Sequence, residues 1–431
     1  MRTIHTGFHA ILNSVFLFLI VATLAACTSG GGYDAQQWQT GAANQTAAQQ
    51  APDDLNVPAS VPGVEAQGIS ADNMHTTKVA ILLPLSGQHA DLGQAMLSAA
   101  QMALFDVGHN NLELMPRDTG GTATGARNAA QSAIQNGAQL VLGPLFSYEV
   151  KAAKPVVQNA NVNMIAFSTD WTLADDHTFL IGFLPFDQVE RVTRYAVAKG
   201  NKRIGVLSPS DSYGNGVVSA YKAVGGHLGL SSSRIERFAP QGGDLSLVIR
   251  KFADYDQRKA AKNAYGAPFD AVLMPVGGTM ARSVGSFLSQ YDLPPGEVRR
   301  LGTGLMDESG LAGDPSLQGA WFAAPDPQAR KDFENRYRKI YASTPPRLSS
   351  LSYDATALAA ILARTGLQQS GRPAFTTNAI TNPNGFAGVD GIFRFRPDGI
   401  VERGMAILTF ENGRERVIDP APRTFQRYSA M

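Results

Sequence analysis

The body of the chain alternates short apolar runs with longer stretches whose apolar residues recur at helical spacing. The run at 79–83 is continuous and stops at Pro84, which is typical of a strand buried on both faces of a parallel sheet. The same pattern predicts further strands at 112–115, 140–142, 164–167, 204–207, 271–274, 299–301 and 320–323, and helices at 92–105, 126–134, 148–159, 188–198, 328–341 and 355–365. Strands alternating with helices indicate an α/β fold built from βαβ units in doubly wound sheets.

The C-terminal region departs from this alternation. Residues 392–395 and 406–410 are two apolar strands joined across Pro397-Asp398-Gly399, and we expect them to pair with each other in antiparallel orientation. The body after residue 76 has about 355 residues. A chain of this length usually exceeds one hydrophobic core, so the body should divide into two lobes.

The N-terminus has the parts of an export signal. Arg2 precedes the apolar run 15–22, which is shorter than the roughly 20 residues needed to span a bilayer. Small residues then lead to Cys27, the only cysteine of the chain. Residues 24–27 resemble the lipobox of bacterial lipoproteins, which implies a signal peptide at 1–26 and lipid attachment at Cys27. The alternative is an ordinary signal peptide with a chance cysteine.

Residue 28 is Thr rather than Asp, and the lipoprotein resemblance then implies anchoring at the outer membrane of a Gram-negative bacterium, facing the periplasm. Residues 27–76 are rich in Gly, Gln, Ala and Pro, and such a composition cannot bury enough surface to offset its ordering entropy. We therefore predict a disordered tether that lets the body stand off its membrane.

Charge and motifs exclude several classes of function. The 37 basic and 36 acidic side chains nearly balance, so the chain has no field to gather nucleic acid. Its seven histidines lack metal-ligand spacing, and phosphate-loop, dinucleotide and nucleophile-elbow motifs are missing. The triplet Asp118-Thr119-Gly120 occurs once, whereas aspartic proteases need two carboxylates, so Asp118 or Thr119 should cap a helix instead. We expect a binding protein, not an enzyme, without cofactor or metal.

Hydroxyl side chains follow three strands of the first half. Ser86 follows the first strand, Ser147 directly precedes a helix, and Ser168 and Thr169 follow the strand at 164–167. Ligands of doubly wound sheets lie at the carboxyl ends of strands, and a hydroxyl beside free helix N–H groups can hold a carboxylate. The alternative is that Ser147 only caps its helix and Ser86 only forms a turn.

The residues then carry a family resemblance. The segment 78–87, Leu142-Gly143-Pro144 with Ser147, the strand and loop 164–169, and Ser212-Tyr213-Gly214 resemble the leucine/isoleucine/valine-type periplasmic binding proteins. The resemblance implies a type I periplasmic binding protein fold, with two lobes joined by a three-strand hinge that close on a ligand. The implied divisions are lobe 1 at 77–186 plus 326–385, lobe 2 at 187–325 plus 386–415, and a tail at 416–431.

The same resemblance implies ligand-contact residues. Ser147, the loop Ala166 to Thr169 including Ser168, and Tyr213 match family positions that bind the ligand. Two other positions differ: Gly302-Thr303-Gly304 stands where amino-acid receptors carry an acid for the ligand ammonium, and Gly277-Gly278-Thr279 replaces aromatic residues.

A second resemblance concerns partners. The runs 118–122, 143–146 and 165–170, together with the lipobox and tether, are similar to penicillin-binding-protein activators, which are lipoproteins that stimulate peptidoglycan synthases. Those of enteric bacteria add a helical-repeat domain that this chain does not show. Two hypotheses follow: an activator whose partner is a peptidoglycan synthase, or an importer receptor whose partner is an ABC permease and whose ligand is a small carboxylate.

Overall fold

The computed structural model describes residues 76–108, 111–230, 234–262, 264 and 266–425. The predicted signal peptide, Cys27, almost all of the tether, and the last six residues lie outside them.

The first lobe is built around a five-stranded parallel sheet with strand order β2-β1-β3-β4-β5. The predicted run 79–83 lies in β1, an interior strand between β2 and β3, and all five side chains are fully buried. Its elements are β1 (Thr77–Leu83), α1 (Ala90–Val107), β2 (Leu112–Asp118), α2 (Ala123–Gln135), β3 (Leu140–Leu142), α3 (Ser147–Asn159), β4 (Asn163–Ala166) and β5 (Thr178–Leu180).

The second lobe is built around a seven-stranded sheet with strand order β15-β14-β10-β9-β8-β6-β7. Its parallel part comprises α4 (Pro185–Ala198), β6 (Ile204–Pro209), α5 (Ser212–His227), β7 (Ile235–Phe238), α6 (Leu245–Phe252), α7 (Tyr255–Ala260), β8 (Ala271–Leu273), α8 (Gly278–Gln290), β9 (Arg299–Gly302) and β10 (Trp321–Ala324). Buried apolar clusters lie on both faces of this sheet, as a doubly wound fold requires.

After β10 the chain returns to the first lobe. The remaining elements are α9 (Pro327–Tyr341), α10 (Ser349–Ser370), α11 (Thr377–Ile380), β11 (Phe386–Gly388), β12 (Gly391–Phe395), β13 (Val401–Arg403), β14 (Ala406–Glu411) and β15 (Arg414–Asp419). Helix α10 packs along α1, and its buried residues join the core of the first sheet.

The predicted antiparallel pair near the C-terminus is wrong. Strand β12 pairs with β11 and β13 in a separate three-stranded sheet, whereas β14 pairs with β10 and β15 in the second lobe. The physical reason is side-chain packing, because Phe393 and Phe395 of β12 are buried in the core of the first lobe.

The expected lobe limits shift accordingly. Residues 386–403, which we placed in lobe 2, pack on the core of the first lobe, and 416–419, which we placed in the tail, belong to β15. The chain passes between the two lobes three times, at about 181–187, 324–327 and 403–406, so the carboxyl ends of both parallel sheets are available for a ligand site.

Candidate ligand-binding site

The loops after β1 and β2 are held together by Asp118. Its Oδ1 accepts hydrogen bonds from the backbone N–H groups of Leu85 (2.9 Å), Ser86 (3.2 Å) and Gly120 (2.8 Å). Partial burial would raise the pKa of Asp118, but these bonds and the Ser86 hydroxyl lower it below its usual value. Ser86 is exposed in this turn.

Neither Asp118 nor Thr119 caps α2, contrary to the expectation from the sequence. The cap is Thr122, whose Oγ1 accepts the N–H of Gly125 at 3.0 Å. Asp118 lies at the last position of β2, where its side chain reaches the neighbouring loop before the helix begins.

Ser147 is the first residue of α3 and is half-buried. The first turn is capped by Glu149, whose carboxylate accepts the N–H of Phe146 at 3.1 Å. Burial raises the pKa of Glu149, which is fully enclosed. Because Glu149 does the capping, the Ser147 hydroxyl lies at the helix head without serving as the cap.

The other first-lobe candidates lie on the neighbouring strand end. Ala166 is the last residue of β4 and is buried, Ser168 is 4% exposed, and Thr169 is exposed. The Ser168 hydroxyl accepts the N–H of Asp170 at 3.1 Å. This loop contacts the one before α3, because the Phe167 N–H donates to the Pro144 carbonyl oxygen. Thr169 is thus an exposed residue two positions after the one that contacts the loop before α3.

Aromatic rings that sequence reasoning missed cover the edge of these loops. The rings of Phe146 and Tyr148 stack with centroids 5.5 Å apart, and the ring centroids of His89 and Phe146 are 4.7 Å apart. The Tyr148 hydroxyl donates to the Gly121 carbonyl oxygen at 3.0 Å, yet 45% of this residue is exposed. The first-lobe edge therefore presents an apolar ring surface next to Ser147.

In the second lobe, Tyr213 lies at the head of α5. Its hydroxyl donates a hydrogen bond to Thr303 Oγ1 at 3.1 Å, and Thr303 is fully buried at the end of β9. Burial raises the pKa of Tyr213 to about 12, so the hydroxyl stays protonated at neutral pH. The next residue, Gly304, donates its N–H to Gln188 Oε1 at 2.6 Å, which ties this loop to α4.

Trp171 brings the two sets of residues together. Trp171 follows the Ser168–Thr169 loop. Its indole packs against Gly216, which has no side chain: a Cβ atom built at Gly216 would lie only 3.2 Å from Trp171 Nε1. Gly216 is on α5, one turn after Tyr213, so the first-lobe loop contacts the helix that carries Tyr213. The signal in the sequence was a tryptophan directly after the predicted ligand loop.

Glu308 is a further residue that the sequence analysis missed. Its carboxylate lies beside Gly278, the first residue of α8. A Cβ atom built at Gly278 would be 3.5 and 4.0 Å from the two carboxylate oxygens. Residues 302–304 and 277–279 carry no acid themselves, but this loop supplies one four residues after Gly304. Leu305 of the same loop is 44% exposed.

The lipidation site lies outside the described residues, so the structure does not bear on Cys27. Within the described part of the chain, none of the helices combines the length and the apolarity needed to cross a membrane.

Comparison with known proteins agrees with this architecture. The chain is similar to a protein ascribed to a branched-chain amino acid ABC transporter of Rhodospirillum rubrum, at 18% identity and a TM-score of 0.67, over 80% of this chain and 100% of that one. It is also similar to the leucine binding protein LivK of Thermotoga maritima, at 20% identity and a TM-score of 0.56, over 79% of this chain and 97% of that one.

A third similar structure is the substrate-binding protein LivJ of Streptococcus pneumoniae in complex with isoleucine. The identity is 19% and the TM-score 0.54, over 80% of this chain and 100% of that one. At these identities the likeness shows the fold. Comparison with curated protein sequences gives no match. The model of the family described as periplasmic binding protein matches residues 76–415, and we conclude that this chain belongs to the periplasmic binding protein family, with the type I fold of the leucine-binding proteins.

Proposed function

We propose that this chain is the non-enzymatic substrate-binding protein of an ABC importer and holds an amino acid or related small solute between its two lobes. The observation that carries the proposal is the contact of Trp171 with α5, which places the exposed Thr169 loop against the helix that carries Tyr213. The structures similar in fold include a leucine binding protein and a branched-chain amino acid transporter substrate-binding protein in complex with isoleucine.

The first lobe supplies groups for a ligand carboxylate. Ser147 and Thr169 offer hydroxyls, and the first turn of α3 adds backbone N–H groups whose partial positive charge favours an anion. In the second lobe, Glu308 offers a carboxylate for a ligand ammonium, which would otherwise be costly to enclose without a partner. Tyr148 and Leu305 provide exposed apolar surface for a side chain.

Isothermal titration calorimetry with the twenty amino acids tests this function. We expect one or a few to bind, and Ser147→Ala to weaken binding about tenfold or more, because a hydrogen bond to a charged group contributes about 1.5–3 kcal/mol. The control Ser132→Ala alters a half-buried serine within α2 and should keep wild-type affinity. An amino acid as the ligand is excluded if none of the twenty binds, and the role of Ser147 is excluded if Ser147→Ala binds as well as Ser132→Ala.

The location we propose follows from the N-terminal sequence: lipid attachment at Cys27 holds the protein on the periplasmic face of the outer membrane. Cys27→Ser should release the protein into the soluble periplasmic fraction without changing its melting temperature. Unchanged membrane fractionation of this variant would contradict the anchor.

A second candidate is a penicillin-binding-protein activator that supports peptidoglycan synthesis. The observation that favours it is the glycine-rich pair of segments 277–279 and 302–304, where amino-acid receptors carry acidic and aromatic side chains. The purified chain should then stimulate a peptidoglycan synthase of its own cell in a glycan-polymerisation assay. A synthase rate that is unchanged at saturating chain concentration would exclude this candidate.

A further inference from the structure

An ion-pair cluster connects the second lobe to helices of the first. Asp307, in the loop after β9, accepts a hydrogen bond from Arg330 Nη1 at 2.9 Å, and Arg347 Nε lies 3.8 Å from the same carboxylate oxygen. The Asp307 side chain is only 8% exposed. Arg330 lies in α9, and Arg347 lies just before α10.

Helix α9, which carries Arg330, belongs to the first lobe. The rings of Phe333 and Tyr337 in α9 pack against Ala99 and Met102 of α1, and the Tyr337 hydroxyl donates to the Ala95 carbonyl oxygen. The Asp307 pair with Arg330 therefore spans from the second-lobe sheet to the first-lobe helices.

Arg347 extends the cluster into the first lobe. It forms a 2.8 Å ion pair with Asp390, which is fully buried and also accepts a 2.6 Å hydrogen bond from the Ser350 hydroxyl. Its guanidinium lies 4.2 Å from the ring centre of Phe183, a cation–π contact on the first chain passage between the lobes. Arg347 is thus fixed by several first-lobe groups and cannot easily follow Asp307.

The third chain passage reaches the same cluster through Arg403. Its guanidinium lies 5.2 Å from the Phe183 ring centre and donates to the Ile181 carbonyl oxygen at 2.7 Å, while its backbone N–H donates to Asp187 Oδ2 at 2.7 Å. Asp354 of α10 lies 4.0 Å from the guanidinium. The first and third passages between the lobes therefore meet at this charged cluster, and Arg330 joins it from the first turn of α9, directly after the second passage.

Hinge rotation would separate groups on different lobes and leave those on one lobe together. The Asp307 contacts with Arg330 and Arg347 are of the first kind, and those of Arg347 with Asp390 are of the second. Separation would leave partly buried charges without partners, which is unfavourable in a low-dielectric surrounding.

We propose that Asp307 is a positioning residue: its ion pairs with Arg330 and Arg347 hold the two lobes in the orientation seen here. The part of this inference that concerns ligand affinity rests on the proposed function, because loop 303–308 carries Thr303, Leu305 and Glu308 at the candidate site.

The test measures lobe orientation in the full chain. Spin labels at Lys151→Cys and Lys222→Cys, exposed positions of α3 and α5, report the distance between the lobes in a Cys27→Ser background. Asp307→Asn should shift or broaden the distance distribution. Asp256→Asn is the matched control, because Asp256 also pairs with an arginine, Arg250 at 2.6 Å, but on the surface of the second lobe.

An unchanged distribution in a folded Asp307→Asn protein would overturn the proposal. Arg330→Lys, which keeps the charge, should lie closer to wild type than Arg330→Gln; equal effects of the two would also count against an ionic role. Titration with L-leucine separates the claim about lobe orientation from the claim about ligand affinity. If the wild type does not bind leucine, the distance measurement still decides whether Asp307 holds the lobe orientation. If wild type binds, Asp307→Asn should change the dissociation constant about tenfold while the melting temperature stays close to that of the control.

Discussion

The Tyr213 hydroxyl donates a hydrogen bond to Thr303 Oγ1 across 3.1 Å and joins the head of α5 to the end of β9. We expect Tyr213→Phe to lower the free energy of unfolding by about 1 kcal/mol, because the buried Thr303 loses a partner. If Tyr213 also contacts the solute, this variant weakens binding, whereas Tyr341→Phe does not. Tyr341 donates a comparable bond to the Ser98 carbonyl oxygen, away from the candidate site. Chemical denaturation and calorimetry measure both effects.

Asp118 should organise the loops after β1 and β2. Asp118→Ala removes the acceptor of three backbone N–H groups, so we expect faster amide hydrogen exchange at Leu85, Ser86 and Gly120. Asp118→Asn keeps an acceptor oxygen and should show a smaller change. Equal exchange in wild type and Asp118→Ala would show that these bonds do not hold the loops.

Asp187 should make stability depend on pH. Burial is the largest cause that raises its pKa to about 7, so the folded protein retains a proton that the unfolded chain releases near its usual pKa. Stability should therefore fall as pH rises between about 4 and 7, with a slope from this group of at most about 1.4 kcal/mol per pH unit.

Asp187→Asn should remove this contribution and keep an acceptor for the Arg403 N–H. Urea-unfolding midpoints measured from pH 4.5 to 8 provide the comparison with wild type. A variant with the wild-type pH slope would show that Asp187 is not the responsible group.

Phe395 should anchor the three-stranded sheet to the first lobe. Its ring lies 5.5 Å from that of Phe179 on β5, and both are at most 2% exposed. We expect Phe395→Ala to cost about 3–5 kcal/mol, as truncation of a buried phenylalanine typically does. Truncation of the 85%-exposed Phe105 to Ala is the control and should cost little. Similar losses for both would place β12 outside the core.

The sequence predicts the α/β architecture well because burial on two faces leaves a plain signal. The run at 79–83 has no polar residue, and all five of its side chains are fully buried in β1. Strand pairing was harder, since the alternation in 392–395 and 406–410 identifies strands but not their partners. Only the packing of Phe393 and Phe395 against the first core assigns β12 to its sheet.

The candidate site was predicted in part. Ser147 and Tyr213 lie at helix heads because short loops at strand ends leave little freedom of position. Trp171 and Glu308 were missed, since their neighbours Gly216 and Gly278 are distant in the sequence and depend on the course of two loops. From the sequence, Thr303 stood out only because its segment lacks the acidic residue of amino-acid receptors. In the structure it is the hydrogen-bond partner of Tyr213.

The central claim is that a small solute binds between the lobes, against Ser147 and Thr169. Native mass spectrometry of the purified chain, incubated with amino acids and cell-wall peptides, measures this directly. We predict one bound solute per wild-type chain and a much reduced fraction bound in the Ser147→Ala, Thr169→Val double variant. No bound solute in wild type, or an equal bound fraction in the double variant, would contradict the account.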